Sequence, residues 1–182
     1  IDARLKVSLR ESGIDAQSHQ ANLLHEPWTV TTGDGQPYRV FTPFWRNAVT
    51  KIADVLPLPA PSAIRFADAG LSSAPIESLK LRPTIPWDSG MAATWTPGEQ
   101  GALARLRDFV DHATRYGKER DRPDLAGTSM LSPHLHFGEI SPQQICRQVQ
   151  RLRVNEAERE DVRHFGSELG WREFSYHLLH HF

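Results

Sequence analysis

The sequence is poor in cysteine, in long apolar runs and in excess charge of either sign. Cys146 is the single cysteine in 182 residues, which excludes an intramolecular disulfide or a cysteine metal cluster and favours a reducing, cytosolic compartment. A formal net charge of -1 excludes a protein coated in basic charge, but it does not exclude a local basic patch. No apolar run approaches the ~20 residues of a membrane-spanning helix, and no signal-peptide pattern is visible.

The residues that are present can form a hydrophobic core. Hydrophobic residues make up 39% and charged residues 24% of the chain, which is typical of a folded protein and not of a disordered one. The sequence has no initiator methionine, starts next to a predicted helix and stops at Phe182 inside an amphipathic run. We therefore expect it to be an internal part of a longer protein.

Residues 1–56 have the pattern of the end of an α/β domain. A helix is predicted over residues 2–11, with Gly13 as its C-terminal cap and residues 14–17 as a short strand after it. The β-prone runs 28–32 and 38–41 lie on either side of a Gly-Asp-Gly turn signal at residues 33–35.

A second helix is predicted to follow these runs. Thr42 and Pro43 fit an N-cap and a proline at the first helical position, for a helix over residues 44–56. Residues 57–95 then show no sustained hydrophobic period, and prolines recur at positions 57, 59, 61, 75, 83 and 86. Because a long irregular stretch is uncommon inside one domain, we predict an interdomain connector here.

Residues 96–182 predict an all-helical domain. Thr96 and Pro97 supply an N-cap and a first-position proline, with Glu99 in the first turn of the helix. The predicted buried positions of this helix are Leu103, Leu106, Phe109 and Val110; those of the last helix, which starts near Asn155, are Val162, Phe165, Leu169, Phe174 and Leu178.

The window GTSMLSPHLHFGEISPQQI, residues 127–145, is dense in hydroxyl side chains. Ser132 and Ser141 each precede a proline and fit an N-cap, and Gly138 is expected to end the turn between them in a left-handed conformation. Helix N-termini attract phosphate, and Thr128 and Ser129 can add hydroxyl donors. The sequence therefore predicts an anion site, although a well-capped helical hairpin without a ligand fits the same residues.

Two further groups of residues in the sequence are candidates for ligand binding. Tyr116 and a basic loop containing Lys118, Arg120 and Arg122 are available to the same site. In ELGWREF, the side chains of Glu168, Trp171 and Arg172 share a helix face, where they can contact a base, its N–H groups and a phosphate. A salt-bridged helix surface with Trp171 in the core is the alternative.

Other catalytic or metal-binding patterns are weak. His177 and His181 have helical i, i+4 spacing, but the glutamate that accompanies such a pair in zinc peptidases is missing, so we expect no metal site. Neither a Ser/His/Asp order nor a nucleotide P-loop is visible.

Three segments together resemble the DNA photolyase and cryptochrome family. They are YRVFTPFWR at residues 38–46, the window at residues 127–145, and ELGWREFSYHLL at residues 168–179, and they occur in the family's order. The resemblance is closest to bacterial cyclobutane pyrimidine dimer photolyases. It implies the C-terminal part of an α/β domain at residues 1–56, a connector at 57–95 and the start of a helical FAD-binding domain at 96–182.

The resemblance also implies site residues. Those matched to the FAD site are Tyr116, Thr128, Ser129, Met130, Leu131, Ser132, Phe165 and Arg172, and those matched to the flipped lesion are Glu168 and Trp171. Met130 stands where relatives often have arginine, so only its backbone can serve the phosphates. Phe165 stands where some relatives have tryptophan.

The implied function is light-dependent DNA repair in the bacterial cytosol by a monomer. Reduced FAD would supply the electron that splits a pyrimidine dimer in DNA, and a second antenna chromophore, folate or deazaflavin, would bind the α/β domain. The fragment alone is expected to be inactive, because the rest of the flavin pocket would lie beyond Phe182. A cryptochrome photoreceptor and a phosphate-binding helical module without flavin are the alternatives.

Overall fold

The computed structural model of the chain describes residues 2–17, 19–52, 59, 61–65, 70 and 72–182. Within these ranges the chain forms helices and no β-strand. The α-helices are α1 (Asp2–Glu11), α2 (Phe41–Val49), α3 (Ser89–Thr94), α4 (Glu99–Val110), α5 (Tyr116–Glu119), α6 (Ser132–His136), α7 (Pro142–Gln150) and α8 (Glu156–His181). Short 3-10 helices lie at Pro27–Thr29, Ile76–Leu79 and Ala113–Arg115.

The predicted strands before residue 42 do not form. Residues 14–17 are irregular, and the Ala16 carbonyl accepts hydrogen bonds from the Arg10 guanidinium at 2.8 and 3.2 Å instead of pairing with a strand. In place of paired strands, the described residues here form one isolated antiparallel bridge, between Thr31 of the first β-prone run and Pro37, the residue before the second. Val30 is buried in a cluster of side chains from α2 and α8, so this segment packs on helices. The α/β expectation is therefore not confirmed in the described residues.

Helix α2 begins and ends earlier than predicted. Val40 is its N-cap without a side-chain hydrogen bond, so the assignment of Thr42 as the cap is wrong. The helix ends at Val49, where the Thr50 hydroxyl donates to the Asn47 carbonyl at 2.8 Å. This bond satisfies one of the carbonyls left free at a helix end. Residues 53–56, over which the helix was predicted to continue, lie outside the described residues.

The connector has little regular structure where it is described, as predicted. From residue 59 to 88 its described part contains only the 3-10 helix Ile76–Leu79, and α3 follows. The domain boundaries at 57 and 95 stay predictions.

Helix starts in the second half are partly as predicted. Gly98, at φ +94°, is the N-cap of α4, so Thr96 does not have that role. Leu131 precedes α6, and Ser132 is the first helical residue instead of its cap. In contrast, Ser141 is the N-cap that was predicted, and α8 starts at the predicted place, with Asn155 as its N-cap. Each cap forms a reciprocal capping box with a residue three positions later. Gly138 has the predicted left-handed conformation, with φ +70°.

The core is built around α8, which packs against α2, α5 and α7. The predicted apolar faces are confirmed: each residue is buried or packs partly buried against the core. The main core cluster consists of Leu24, Ala102, Leu106, Phe109, Ala113, Tyr116, Leu131, Leu135, Ile140, Ile145, Cys146, Val149, Phe165 and Leu169. Burial raises the pKa of the Cys146 thiol to about 12, so this cysteine behaves as a core side chain.

Candidate functional site

A cavity of about 580 Å³ lies between the loop before α6, helix α5 and helix α8. We call it the loop cavity. Its lining residues are Trp95, Tyr116, Thr128, Ser129, Met130, Leu131, Ser132, Pro133, Leu135, Phe165, Glu168, Leu169 and Arg172. All the residues that sequence reasoning assigned to a cofactor lie in this lining, together with Glu168. Trp171 does not.

The loop wall is shaped by two unusual backbone positions. Met130 has φ +53°, a left-handed conformation that costs a residue with a side chain about 1 kcal/mol or more. A Cβ on Gly127 would lie 2.5 Å from the Glu119 backbone and Cβ, so only glycine lets the loop lie directly against the end of α5. Thr128, Ser129 and the strained Met130 all line the cavity.

The opposite wall is aromatic. Tyr116 and Phe165 are buried, with ring centroids 5.3 Å apart and planes at 79°. Phe109 supports both rings from the core, at 5.8 Å from Tyr116 and 4.4 Å from Phe165. Burial raises the pKa of the Tyr116 hydroxyl. The wall is therefore rigid, and because the two rings are nearly perpendicular and almost fully buried, only small parts of them are open to the cavity.

One edge of the cavity is charged. Glu168 forms an ion pair with Arg120, and the Arg120 guanidinium lies 5.4 Å from the centre of the Tyr116 ring. His164 is a weaker neighbour, with its Nε2 3.9 Å from Glu168. The predicted basic loop is thus not a patch of free cations, because Arg122 also forms an ion pair, with Asp124.

Arg172 joins the cavity to the first part of the chain. Its guanidinium donates hydrogen bonds to the carbonyl and the side-chain oxygen of Asn22, both at 2.8 Å. Arg172 was predicted to lie beside a cofactor, and its side chain does line the cavity. Two of its nitrogens, however, already donate to Asn22, 150 positions away in the chain. Sequence reasoning missed Asn22, because its spacing from Arg172 carries no local signal.

Trp171 lies outside the lining of the loop cavity, one helical turn after Glu168. Its ring stacks on Phe41 of α2, with centroids 3.7 Å apart and planes at 11°, and the residue remains 48% exposed. The alternative with Trp171 in the core is wrong, because about half of the residue is exposed. Its assignment to the lesion stays a prediction.

Sequence reasoning also missed a buried carboxylate. Glu173 is 3% exposed and accepts the backbone N–H groups of Leu24 at 2.8 Å and His25 at 3.2 Å. Burial raises its pKa to about 7, although these bonds and Arg172 act in the opposite direction. Glu173 lies four residues after Leu169 and four before His177, and both of these residues are buried. This helical spacing could have indicated that Glu173 lies on the buried face of α8.

The two histidines of α8 that were considered as metal ligands have another role. His177 Nδ1 and His181 Nε2 each lie 3.1 Å from the Pro27 carbonyl, and each ring can donate an N–H to that oxygen. Among the described residues there is no group of three or more His, Cys, Asp or Glu side chains arranged to hold a metal ion. The pair therefore fastens the 3-10 helix at Pro27–Thr29 to α8.

Comparisons with known proteins agree with the resemblance. A family model for DNA photolyase matches residues 1–62. The deoxyribodipyrimidine photo-lyase of Agrobacterium fabrum is 42% identical over 183 residues, covering all of this chain and 38% of that protein. Cryptochrome-1 of Arabidopsis thaliana is 34% identical over 187 residues, covering 97% of this chain and 27% of that protein.

A solved structure gives the same result for the fold. The crystal structure of a bacterial class III photolyase from Agrobacterium tumefaciens superposes with a TM-score of 0.82 at 41% identity, over all of this chain and 38% of that one. The chain thus spans about two fifths of the length of the two photolyases and about a quarter of that of Cryptochrome-1. None of the helices in the described ranges has the length and apolar character needed to cross a membrane.

Proposed function

Because this chain belongs to the DNA photolyase and cryptochrome family, we propose that it is part of a light-dependent DNA repair lyase that splits cyclobutane pyrimidine dimers. The single observation that supports the proposal most is the loop cavity. It combines a strained loop rich in donors, a buried aromatic wall and a carboxylate at one edge. The chain has the length of only part of its relatives, so activity is expected of the longer protein and not of this segment alone.

The lining of the loop cavity fits the phosphate and ring parts of FAD. The backbone of residues 128–132 and the hydroxyls of Thr128, Ser129 and Ser132 would donate to the phosphates. Helix α6 has only five residues, so its dipole is small and the hydroxyl and amide donors must supply most of this stabilisation. Met130 contributes its backbone alone, because its side chain carries no charge.

The aromatic wall and the charged residues would complete the cofactor site. Tyr116 and Phe165 would cover planar parts of the cofactor and exclude water from it. Arg172 would approach it from α8 while Asn22 holds the guanidinium in place. Reduced FAD held there would supply, on excitation by light, the electron that opens the dimer, while the residues of the cavity would bind, orient and shield the cofactor. A second chromophore, folate or deazaflavin, is proposed for the α/β domain.

Lesion recognition is proposed for Glu168 and Trp171. A flipped dimer presents ring faces, which the exposed Trp171 can cover, and imide N–H groups, which the Glu168 carboxylate can accept. These residues lie one turn apart on α8, at the edge of the proposed cofactor site. This arrangement favours repair over the alternative function, that of a cryptochrome photoreceptor. The similarity to Cryptochrome-1 is the observation that supports the alternative.

Replacing Trp171 by alanine tests this proposal. Base stacking is worth ~1–3 kcal/mol, so the affinity of the full-length protein for dimer-containing DNA should fall by about one to two orders of magnitude. Affinity for undamaged DNA, which depends on phosphate contacts, and FAD content should change little. The measurement is titration of damaged and undamaged duplexes at one fixed salt concentration.

A matched control is Trp28→Ala, since Trp28 is 58% exposed and contacts His180 at the far end of α8. It should leave the preference for damaged DNA unchanged. If Trp171→Ala keeps the wild-type preference, Trp171 is not a lesion contact. If the wild-type protein shows no preference at all, the photoreceptor function is favoured instead.

A further inference from the structure

The exposed ring of Trp171 does not stand alone on α8. Phe41, the first residue of α2, covers one face of the indole at a centroid distance of 3.7 Å and an interplanar angle of 11°. The Phe41 ring is also nearly parallel to Trp45, at 6.4 Å and 10°. We call Trp45, Phe41 and Trp171 the aromatic stack. Trp171 is 48% exposed, so part of its surface stays open to solvent.

Helix α2 holds Phe41 firmly against α8. Phe44 is 2% exposed, and its ring lies 5.2 Å from that of Phe174 on α8. Trp45 lies so close to α8 that a Cβ on Gly170 would come within 2.6 Å of its ring. Because the glycine lets the two helices meet here, the stack rests on a closely packed helix contact and not on a mobile loop.

This arrangement changes what Trp171 can do. An isolated tryptophan on a helix surface must lose side-chain freedom when it stacks on a base, and that loss weakens binding. A tryptophan whose one face is already covered by a fixed ring loses less, and its remaining face is presented in one orientation. In the aromatic stack, Trp171 is therefore oriented before binding, with one ring face covered and its exposed part available to a planar ring.

From this geometry, and resting on the proposed function, we propose that Phe41 is a positioning residue for recognition of the damaged base. It acts through Trp171 and touches neither the cofactor nor the lesion. The proposal assigns a role in recognition to the segment YRVFTPFWR, which lies 130 positions before Trp171 and outside the loop cavity. The ligand class is the flat or partly saturated ring of a flipped pyrimidine dimer.

The test measures the ratio of affinities for dimer-containing and undamaged duplexes in the full-length protein. Phe41→Leu keeps an apolar side chain but removes the ring, and it should lower this ratio roughly three- to tenfold, the range of an aromatic pair. Phe41→Tyr keeps the ring and should restore the wild-type ratio. Under saturating light Phe41→Leu should raise KM for damaged DNA and leave kcat close to wild type, since the reacting groups are untouched.

Two comparisons separate positioning from general destabilisation. Leu106→Ala, on α4 and outside the aromatic stack, loses a buried core side chain and should lower stability while leaving the affinity ratio unchanged. In the Trp171→Ala background, Phe41→Leu should have no further effect on the ratio, because the two residues act as a unit. Acrylamide quenching of the Trp171 fluorescence, obtained by difference from Trp171→Ala, should increase in Phe41→Leu.

The outcomes distinguish failure of the role of Phe41 from failure of the proposed function. A wild-type preference for damaged DNA that Phe41→Leu leaves unchanged, or that Leu106→Ala reduces equally, overturns the role of Phe41 alone. Additive effects of Phe41→Leu and Trp171→Ala do the same. A wild-type protein without any preference for damage overturns the proposed function, and the role of Phe41 fails with it.

Discussion

Replacing Glu173 by glutamine should change how the stability of the full-length protein depends on pH. Glu173 is almost fully buried, where it accepts the N–H groups of Leu24 and His25. Its pKa is raised from 4.5 to about 7. The cause is burial, which disfavours the charged form by more than the hydrogen bonds and Arg172 favour it.

The sign and size of the effect follow from this shift. Below pH 4.5 the carboxyl is protonated in the folded and the unfolded chain, so it causes no pH dependence. As the pH rises towards about 7, the unfolded chain releases the proton and the folded chain keeps it, so the free energy of unfolding falls. The shift corresponds to about 3 kcal/mol as an upper estimate. Glutamine cannot titrate, so the variant lacks this loss.

The assay is denaturant unfolding of wild type and Glu173→Gln between about pH 4 and about pH 9. The free energy of unfolding of the variant minus that of wild type should rise by about 3 kcal/mol over this range. His25 and His177, whose pKa values are lowered by burial, titrate in both proteins and cancel in the difference. Glu160→Gln, at a position on the same helix with 77% side-chain exposure, should parallel wild type. Parallel curves for Glu173→Gln would refute the reasoning.

Two further changes test the loop cavity and the helix contact. Replacing Thr128 and Ser129 together by alanine should weaken FAD binding, at about 1.5–3 kcal/mol for each lost hydroxyl bond to phosphate; a wild-type flavin content and Kd would contradict the phosphate assignment. Gly170→Ala should lower the free energy of unfolding by about 1–3 kcal/mol, because its Cβ would press on Trp45. Gly166→Ala is the control, because its added Cβ has nothing within 4 Å. It should be neutral or raise the free energy of unfolding by about 0.5–1 kcal/mol. Equal denaturant midpoints for the two alanine variants would mean that the Trp45 ring moves aside.

The features that could be predicted from sequence are those whose partners are close along the chain. Ser141 with Gln144 and Asn155 with Glu158 form capping boxes at three-residue spacing. Gly138 adopts the left-handed conformation that a glycine after a helical turn favours. Helical periodicity likewise identified the buried faces of α4 and α8. In each case the physical cause acts within one or two helical turns, so a short window of sequence contains it.

The features that could not be predicted depend on distant partners. Glu173 is held by Leu24, 149 positions away, and Val30 is buried by helices where local propensity favours a strand.

Thr96 and Ser132 were expected to be caps because each precedes a proline, but Gly98 and Leu131 occupy those positions. Pro133 is the second residue of its helix and Pro97 precedes the cap of its helix, yet both leave the same local sequence pattern as a proline at the first helical position.

In the proposed function, Glu168 links lesion recognition to the cofactor site through one neighbour. A carboxylate has about four lone-pair positions, so Glu168 can keep its ion pair with Arg120 and still accept N–H groups from a base. Arg120 in turn lies over the ring of Tyr116, which forms part of the cavity wall. Any displacement of Arg120 would therefore reorient the lesion contact and uncover the aromatic wall together. Arg120, directly after α5, thus fixes the Glu168 carboxylate of α8 relative to the aromatic wall of the loop cavity, and the proposed function requires such fixed positions of cofactor and base.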